Sequence, residues 1–366
     1  MFEHEVTVCF ATMSRPECAV RLTKSIRDVY PSVRILVGLQ TKGSDSYQAA
    51  LERAGAEVVI LPFDYGVCAS RNRLVEKVET PFFVICDDDF IWTRDTKFDV
   101  ALRALRETEN LAVVGGLLYD LWSPEPSQKD PRHWERHLYL DASKRLLTMV
   151  ALEEAPLTPL GGHSDVWLVD AVMNFAVMKT EAHRSGARWD EQFKSNGEHE
   201  DFFLNLKLNT GYLVGYCPRM FAYHYSVVPP GYGAYRDRSD GWRRLSAKWG
   251  IDRIRDGRQI LELTTGAFAP IPEPVSALRR LRGWERDPAL GRDRVGITPD
   301  GKFYCAPSGS SLEVTSRQIE DRIKRARKEV TKTFRSSTSW KVTKPLRFVG
   351  RTLKGIARGF SRQRSK

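Results

Sequence analysis

Five consecutive apolar residues, Phe82-Phe-Val-Ile-Cys86, run directly into three aspartates, Asp87, Asp88 and Asp89. An unbroken apolar run of this length fits a central strand buried on both faces. Three adjacent carboxylates repel one another, and folding alone gives no reason to place them at the mouth of such a strand. Two readings account for them. One is a solvated acidic turn or helix cap. The other is a site for a hard divalent cation, Mn²⁺ or Mg²⁺, whose shell is completed by phosphate oxygens of a bound substrate. There the cation would neutralise charge gathering on a diphosphate leaving group.

The surrounding chain sets this strand in an α/β fold. β-rich runs at Glu5–Ala11, Val33–Leu39 and Val58–Pro62 alternate with helical stretches at Arg15–Asp28, up to Ala54, and near Ala69–Val78. A helix near Thr96–Glu107 and the run Leu111–Leu117 continue the pattern. Such alternation predicts a Rossmann-like, mostly parallel sheet flanked by helices, with ligands bound beyond the carboxyl ends of the strands. Residues 123–159 read as a loop or acceptor-side insertion. The stretch Val166–Met178 has strand character, Asp201–Leu208 reads as a helix, and Leu213–Tyr216 and Phe221–Tyr225 read as strands. We expect one domain over residues 1–250, an irregular extension over 251–316, and a basic helical tail over 317–366.

Four further places carry chemistry. Gly197-Glu198-His199-Glu200-Asp201 precedes the apolar Phe202-Phe-Leu, which puts acids at a helix N-terminus. A carboxylate there, Asp201 or its neighbour Glu200, is a candidate to take the proton from an attacking hydroxyl; helix capping is the alternative. His224, set among aromatics in Ala-Tyr-His-Tyr-Ser, is either a core histidine or a metal ligand. Gly66-Val-Cys-Ala-Ser-Arg71-Asn72 opens a helix, where Gly66, Arg71 and Asn72 would meet ribose or diphosphate, unless this is an ordinary surface helix. Thr12 and Arg15 leave the first strand where a nucleotide would dock.

In this order the elements resemble the GT-A glycosyltransferases, most closely the β-1,4-N-acetylgalactosaminyltransferases that build gangliosides and related glycans, beside bacterial family 2 enzymes. The resemblance covers about residues 5–226 and rests on Phe63–Phe90 and Met173–Ser226. It implies that Asp87 and Asp89 form the metal-binding pair, Asp89 the more direct ligand, with Asp88 beside them at the donor. It further implies Asp201 as the catalytic base, His224 as the late metal ligand, and Arg71 and Asn72 in the donor loop. The activity implied is inverting transfer of a hexose or N-acetylhexosamine from a UDP-sugar to a hydroxyl of a glycan or glycolipid. The loop Gln40-Thr-Lys lacks the acidic pair often found there in family 2, which leaves recognition of the base open.

Charge separates the tail from the body. Of the 57 basic and 46 acidic residues, 17 and 3 lie from Arg317 onward, so the tail carries +14 and residues 1–316 carry −3. Leu346, Val349, Leu353, Ile356 and Phe360 trace one helical stripe among Lys and Arg, the pattern of a helix lying on an anionic membrane; docking on the protein's own body or a partner is the alternative. We expect residues 340–362 to hold the protein at the inner membrane surface, beside a lipid-linked or envelope glycan acceptor. Six scattered cysteines without a CxxC pair, and an amino terminus with no basic, apolar leader, point to the cytoplasm. Two rival activities share the acidic cluster. A metal-dependent nucleic-acid enzyme would need a basic groove, which the acidic body does not offer, so no nucleic acid is expected. A sugar nucleotidyltransferase would need a Gly-rich, Lys-containing loop where Ala11-Thr-Met-Ser-Arg-Pro stands.

Overall fold

The computed structural model of the chain describes residues 2–42, 45–121, 129–155, 158–225, 232, 235, 239–257, 259–265, 267–270, 294–297 and 303–306. The chain divides into two compact units, Met1–Ser308 and Gly309–Lys366, and every described residue lies in the first. The tail, with its stripe at 340–362, lies outside the described residues.

The first half alternates as its pattern demands: β1 (Val6–Met13), α1 (Pro16–Val29), β2 (Arg34–Thr41), α2 (Asp45–Arg53), β3 (Glu57–Pro62), α3 (Val67–Val75) and β4 (Phe82–Ile85). A two-residue β5 (Phe90–Ile91), α4 (Asp99–Glu107) and β6 (Leu111–Leu121) follow. Pro16 starts α1, where its missing N–H costs nothing. Cys18, Ala19, Leu22, Thr23 and Ile26 then turn one buried stripe of that helix to the sheet. All four residues of β4 are buried, as a strand with neighbours on both edges and helices on both faces requires.

The second half runs β7 (Lys129–Arg132), β8 (Arg136–Asp141), β9 (Leu146–Ala151), β10 (Thr158–Leu160), β11 (His163–Val169), β12 (Ala176–Lys179), α5 (Thr180–Arg184), α6 (Glu198–Asn209), β13 (Leu213–His224) and α7 (Ser239–Trp249). Strands β14 (Arg253–Asp256), β15 (Gln259–Glu262) and β16 (Ala267–Pro270) come next, then a separate hairpin of β17 (Arg294–Ile297) and β18 (Phe303–Ala306).

The main sheet has the order β10-β11-β13-β6-β12-β4-β1-β2-β3, with β5 and β7 joined at its side. The expected α/β sheet with flanking helices is present, and it is mixed. β3, β2, β1 and β4 run parallel. β12 lies antiparallel between β4 and β6, and β13 runs parallel to β6. One face, with Val8, Phe10 and Val84, packs on α1 and α4. The other, with Cys9, Phe83 and Ile85, packs on α3, α5 and α6. Among the described side chains, Cys9, Cys18, Cys68, Cys86 and Cys217 are free and buried.

Three expectations need correction. Val166–Met178 is two strands, because the chain leaves β11 after Val169 and returns as β12 on the far side of β6. Within 123–159, read as a loop or insertion, the described residues are largely strand: 129–132, 136–141, 146–151 and 158–159. And β14–β16, expected to be irregular, extend the hairpin β8–β9 into a second sheet of order β16-β15-β14-β9-β8. Its Leu138, Leu147, Met149, Ile254 and Leu261 join the same core as α6.

Where β13 passes β6 its register shifts. Cys217 faces Gly116 but Phe221 faces Leu117, so β13 carries three extra residues in a bulge. A Cβ on Gly116 would run into the Met220 carbonyl oxygen of that bulge and the Phe175 ring, which is why glycine stands there.

Candidate active site

The three aspartates leave β4 at the carboxyl end of the parallel strands and point in different directions. Asp88 turns inward and is 2% exposed. Its Oδ2 accepts a 2.6 Å bond from the Thr12 hydroxyl and its Oδ1 pairs with Arg15. Burial pushes the Asp88 carboxyl up to about 7, against the pull of Arg15. Arg15 also donates from Nη1 to Asp89 Oδ2 at 2.6 Å. Breaking a buried pair of this kind costs about 3–5 kcal/mol. Thr12, Arg15 and Asp88, expected at the donor, therefore brace the acidic turn from inside.

Asp89 is the buried, ionised member of the triplet. Burial would raise its carboxyl, but His224 and Arg15 outweigh it and hold it at about 2, so it is ionised. Oδ2 lies 3.4 Å from His224 Nε2, while Oδ1 is buried without a hydrogen-bond partner. An ionised, orphaned oxygen in a closed site is costly unless a cation meets it. His224 sits at the end of β13, where it pairs with Phe90 of β5 in register, and its Nδ1 is 2.6 Å from Asp120 Oδ1. Burial alone would lower the imidazole; the bonds to Asp89 and Asp120 raise it. A carboxylate on Nδ1 is the usual device that presents Nε2 to a metal. Asp87 is the open member, its side chain 39% exposed, with Arg71 Nη2 3.5 Å away. Asn174 Nδ2 donates to it at 3.2 Å. Among the described residues no three His, Cys, Asp or Glu side chains stand as a ready cage for a metal ion. The side chains present fit a cation that takes its remaining ligands from substrate phosphates, as Mg²⁺ and Mn²⁺ do.

Gly66 caps α3 with φ +96°, against the Lys194 backbone, and its N–H faces Gln40 Oε1 at 3.4 Å. Arg71 looks out from the first turns of α3 toward Asp87. Asn72 looks the other way. Its Nδ2 donates to the Trp189 carbonyl at 2.8 Å and to Glu191 Oε1 at 3.0 Å. Its Oδ1 accepts from Trp189 N–H and lies 3.1 Å from His183 Nε2. With the amide used up, Asn72 ties α3 to the segment 187–197 and has nothing left for a donor.

The acidic cluster opens α6 after Gly197, which takes a left-handed conformation. Asp201 is buried, and both its oxygens are engaged. Trp249 Nε1 donates to Oδ1 at 2.8 Å, and Lys248 Nζ lies 2.8 Å from Oδ1 and 3.0 Å from Oδ2. Burial raises the Asp201 carboxyl, with Lys248 and Trp249 opposing. Glu198, three residues earlier and so on the same helix face, acts with Asp201 on Cys68 of α3. Glu200 lies on another face, within reach of Asp256 of β14. Burial and Glu198 push it up to about 8, so it is protonated at neutral pH and unsuited to act as a base.

Three contributors were missed in the sequence. Asp120 stands near the carboxyl end of the buried strand β6 as the triplet follows β4, and the same reasoning would have found it. Asn174 lies inside Val166–Met178, which reads as one strand. Tyr232, whose ring centroid is 4.7 Å from the Arg15 guanidinium, had no motif to mark it.

Residues 7–155 match the family model described as Glycosyl transferase family 2. Among curated proteins, the chain is 28% identical over 229 residues to Beta-1,4 N-acetylgalactosaminyltransferase 2 of Mus musculus, covering 62% of this chain and 40% of that protein. It is 26% identical over 224 residues to Beta-1,4 N-acetylgalactosaminyltransferase 1 of the same organism, covering 61% and 39%. The chain thus spans about two fifths of the length of these relatives. Among solved structures, S. aureus TarS 1–349 in complex with UDP-GlcNAc overlaps at TM-score 0.48 and 14% identity, covering 67% of this chain and 66% of that one. The mannosyltransferase PcManGT from Pyrobaculum calidifontis, in complex with GDP-Man and Mn²⁺, overlaps at 0.44 and 15%, covering 67% and 63%. The resemblance drawn from the motifs therefore stands: this chain carries a segment matching glycosyl transferase family 2 and is similar to the β-1,4 N-acetylgalactosaminyltransferases.

Proposed function

We propose that this protein is an inverting, metal-dependent glycosyltransferase that moves an N-acetylhexosamine or hexose from a UDP-sugar to a hydroxyl of a glycan or lipid-linked acceptor. The family match and the relatives support glycosyl transfer. The observation that carries the metal-dependent reading is Asp89, ionised and with an orphaned buried oxygen beside a histidine aligned by a second carboxylate. Asp89, His224 and the open Asp87 would hold Mn²⁺ or Mg²⁺. Held there, the cation would supply positive charge to offset that gathering on the diphosphate of departing UDP. Arg71 and the N-terminus of α3 at Gly66 face the same negative charge. Asp201 takes the proton of the acceptor hydroxyl while its oxygen attacks the anomeric carbon opposite UDP. A carboxylate offers about four lone-pair sites, so Oδ2 keeps one for that proton beside Lys248. Because Asp201 is so fully engaged, Glu198 on the same face is the second candidate for the base.

The tail reading carries over: residues 340–362 would bring a peripheral enzyme to an anionic, cytoplasmic membrane face. Among the described residues no helix is long and apolar enough to cross a membrane.

Calorimetric titration of UDP and GDP with and without Mn²⁺, on wild type and Asp89→Asn, tests the donor site. Micromolar UDP binding that needs Mn²⁺ and is lost in the variant is the expected outcome. Metal-independent binding, or preference for GDP, overturns the proposed donor.

A further inference from the structure

We propose that Lys248 of α7 is a positioning residue that locks the Asp201 carboxylate to the donor-side segment 187–197. The inference rests on the reading of Asp201 as proton acceptor.

Segment 187–197 joins the donor helix to the base helix. On one side it is bound to α3 through three contacts of Asn72, two with Trp189 and one with Glu191. The Val67 N–H also donates to the Lys194 carbonyl at 3.1 Å, and Lys194 Nζ donates to the Asp64 carbonyl at 2.8 Å. On the other side it is bound to α7. Arg244 donates to Gln192 Oε1 at 3.1 Å. Gly241 lies so close to the Ser195 and Asn196 carbonyls that a Cβ there would collide with both. The segment then ends at Gly197, the cap of α6.

Lys248 stands where these parts meet. Its ammonium has three N–H donors and three acceptors in reach: Asp190 Oδ2 at 2.8 Å, Asp201 Oδ1 at 2.8 Å and Asp201 Oδ2 at 3.0 Å. Asp190 is itself fixed, its Oδ1 accepting from Gln192 N–H at 3.0 Å. The indole N–H of Trp249, the next residue, takes the remaining side of Asp201 Oδ1. Lys248 and Trp249 together set the rotation of the carboxylate, and Oδ2, which accepts from Lys248, keeps lone-pair capacity for a hydroxyl. A donor that orders α3 is thereby coupled, through Asn72, segment 187–197 and Lys248, to the aim of the base.

The charge environment makes the coupling measurable. The groups facing Asp201 are Lys248 and Trp249 of α7, Asp190 of the segment, Glu198 and Glu200 of its own helix, and Cys68 of α3. Lys248 is the cation among them that bonds it. Burial and Asp190 both disfavour a charged Asp201, so loss of Lys248 moves the protonation of the base to higher pH as well as loosening it.

The test uses the full chain with Mn²⁺ and follows UDP release from UDP-N-acetylgalactosamine and UDP-N-acetylglucosamine. Water serves as the acceptor: its oxygen bonds to the anomeric carbon, the bond to UDP breaks, and the proton goes to Asp201. Lys248→Met should lower kcat at least tenfold at neutral pH and move the acid limb of the pH–kcat profile up by about one unit. UDP affinity by calorimetry should stay within about twofold, and Lys248→Arg should restore the limb. Trp249→Phe keeps the packing, removes only the indole N–H and should lower kcat about threefold to tenfold; it decides the matter if Lys248→Met fails to fold. An unchanged acid limb in Lys248→Met, or loss of UDP binding in step with kcat, overturns the proposal. Asp201→Asn separates the two ideas. If it stays active, the base reading fails and this inference with it. If it is inactive while Lys248→Met keeps the wild-type limb, only the role of Lys248 fails. No turnover by wild type with either donor sinks both.

Discussion

Replacing Glu200 by glutamine should stabilise the protein by an amount that grows with pH. Glu200 is buried at the foot of α6, and its carboxyl is pushed up to about 8 from an ordinary 4.5, first by burial and then by Glu198. A group raised in the folded state contributes stability that is complete below its unfolded value and is lost as pH climbs through its folded value. The window is therefore pH 4.5 to 8. Each pH unit across it removes about 1.4 kcal/mol, so the full span is worth at most about 5 kcal/mol. Water reaching the charged carboxylate would shrink this, and we expect about 2–5 kcal/mol. Glutamine matches the shape of the protonated acid and has no such slope. Urea unfolding at pH 5 should give equal stabilities, and at pH 8 the variant should lead by that margin, or by roughly 5–15 °C in melting temperature. The raised carboxyl of Asp88 tilts both curves alike and cancels in the difference. Parallel curves for the two proteins would refute the assignment of Glu200 as a buried, neutral acid. Lost turnover with unchanged stability would return it to the catalytic candidates.

Gly116→Ala should cost about 1–3 kcal/mol or more, because the added methyl meets the Met220 carbonyl and the Phe175 ring; thermal unfolding checks it. Asn72→Ala should cost about 2–4 kcal/mol by stranding the Trp189 backbone groups, and UDP affinity should fall with the loss of order in the donor loop. A variant ending before Arg317 should lose co-sedimentation with phosphatidylglycerol vesicles, whereas the intact chain should bind them and be released by high salt. Equal binding of both to neutral phosphatidylcholine would remove the electrostatic basis of the tail reading.

The parts of this molecule that were legible in its sequence are those whose signal is local. Phe82–Asp89 announces a buried strand with a charged mouth by itself, and Pro16 and Gly66 mark helix starts through their own backbone chemistry. The second sheet announced nothing. Arg253-Ile-Arg-Asp pairs with its neighbour Gln259–Glu262 but joins the sheet by pairing with Leu146–Met149, more than 100 residues earlier, and no four-residue window carries that information. Polar residues near the motifs mislead in a different way. Asp88 and Asn72 stand beside Asp89 and Arg71 in sequence, yet successive residues of a turn or helix point in different directions. Composition cannot tell a carboxylate that meets a ligand from one that meets Thr12 and Arg15. Asp201 was found as an acid at a helix start, but its clamp of Lys248 and Trp249 lies 47 and 48 residues away.

The three-residue bulge in β13 has a bearing on how much change this scaffold tolerates. Downstream of it, alternate side chains face opposite sides of the sheet, so the bulge acts as a parity counter for everything up to His224. Losing one residue from 218–220 would move His224 into the place of Tyr223 and Tyr225 into the place of His224, sending the imidazole into the core and a phenol toward Asp89. Losing two would restore the original side at the cost of a shorter reach. Length variation here should therefore come in even steps, whereas the surface loops of the same chain are free of that arithmetic.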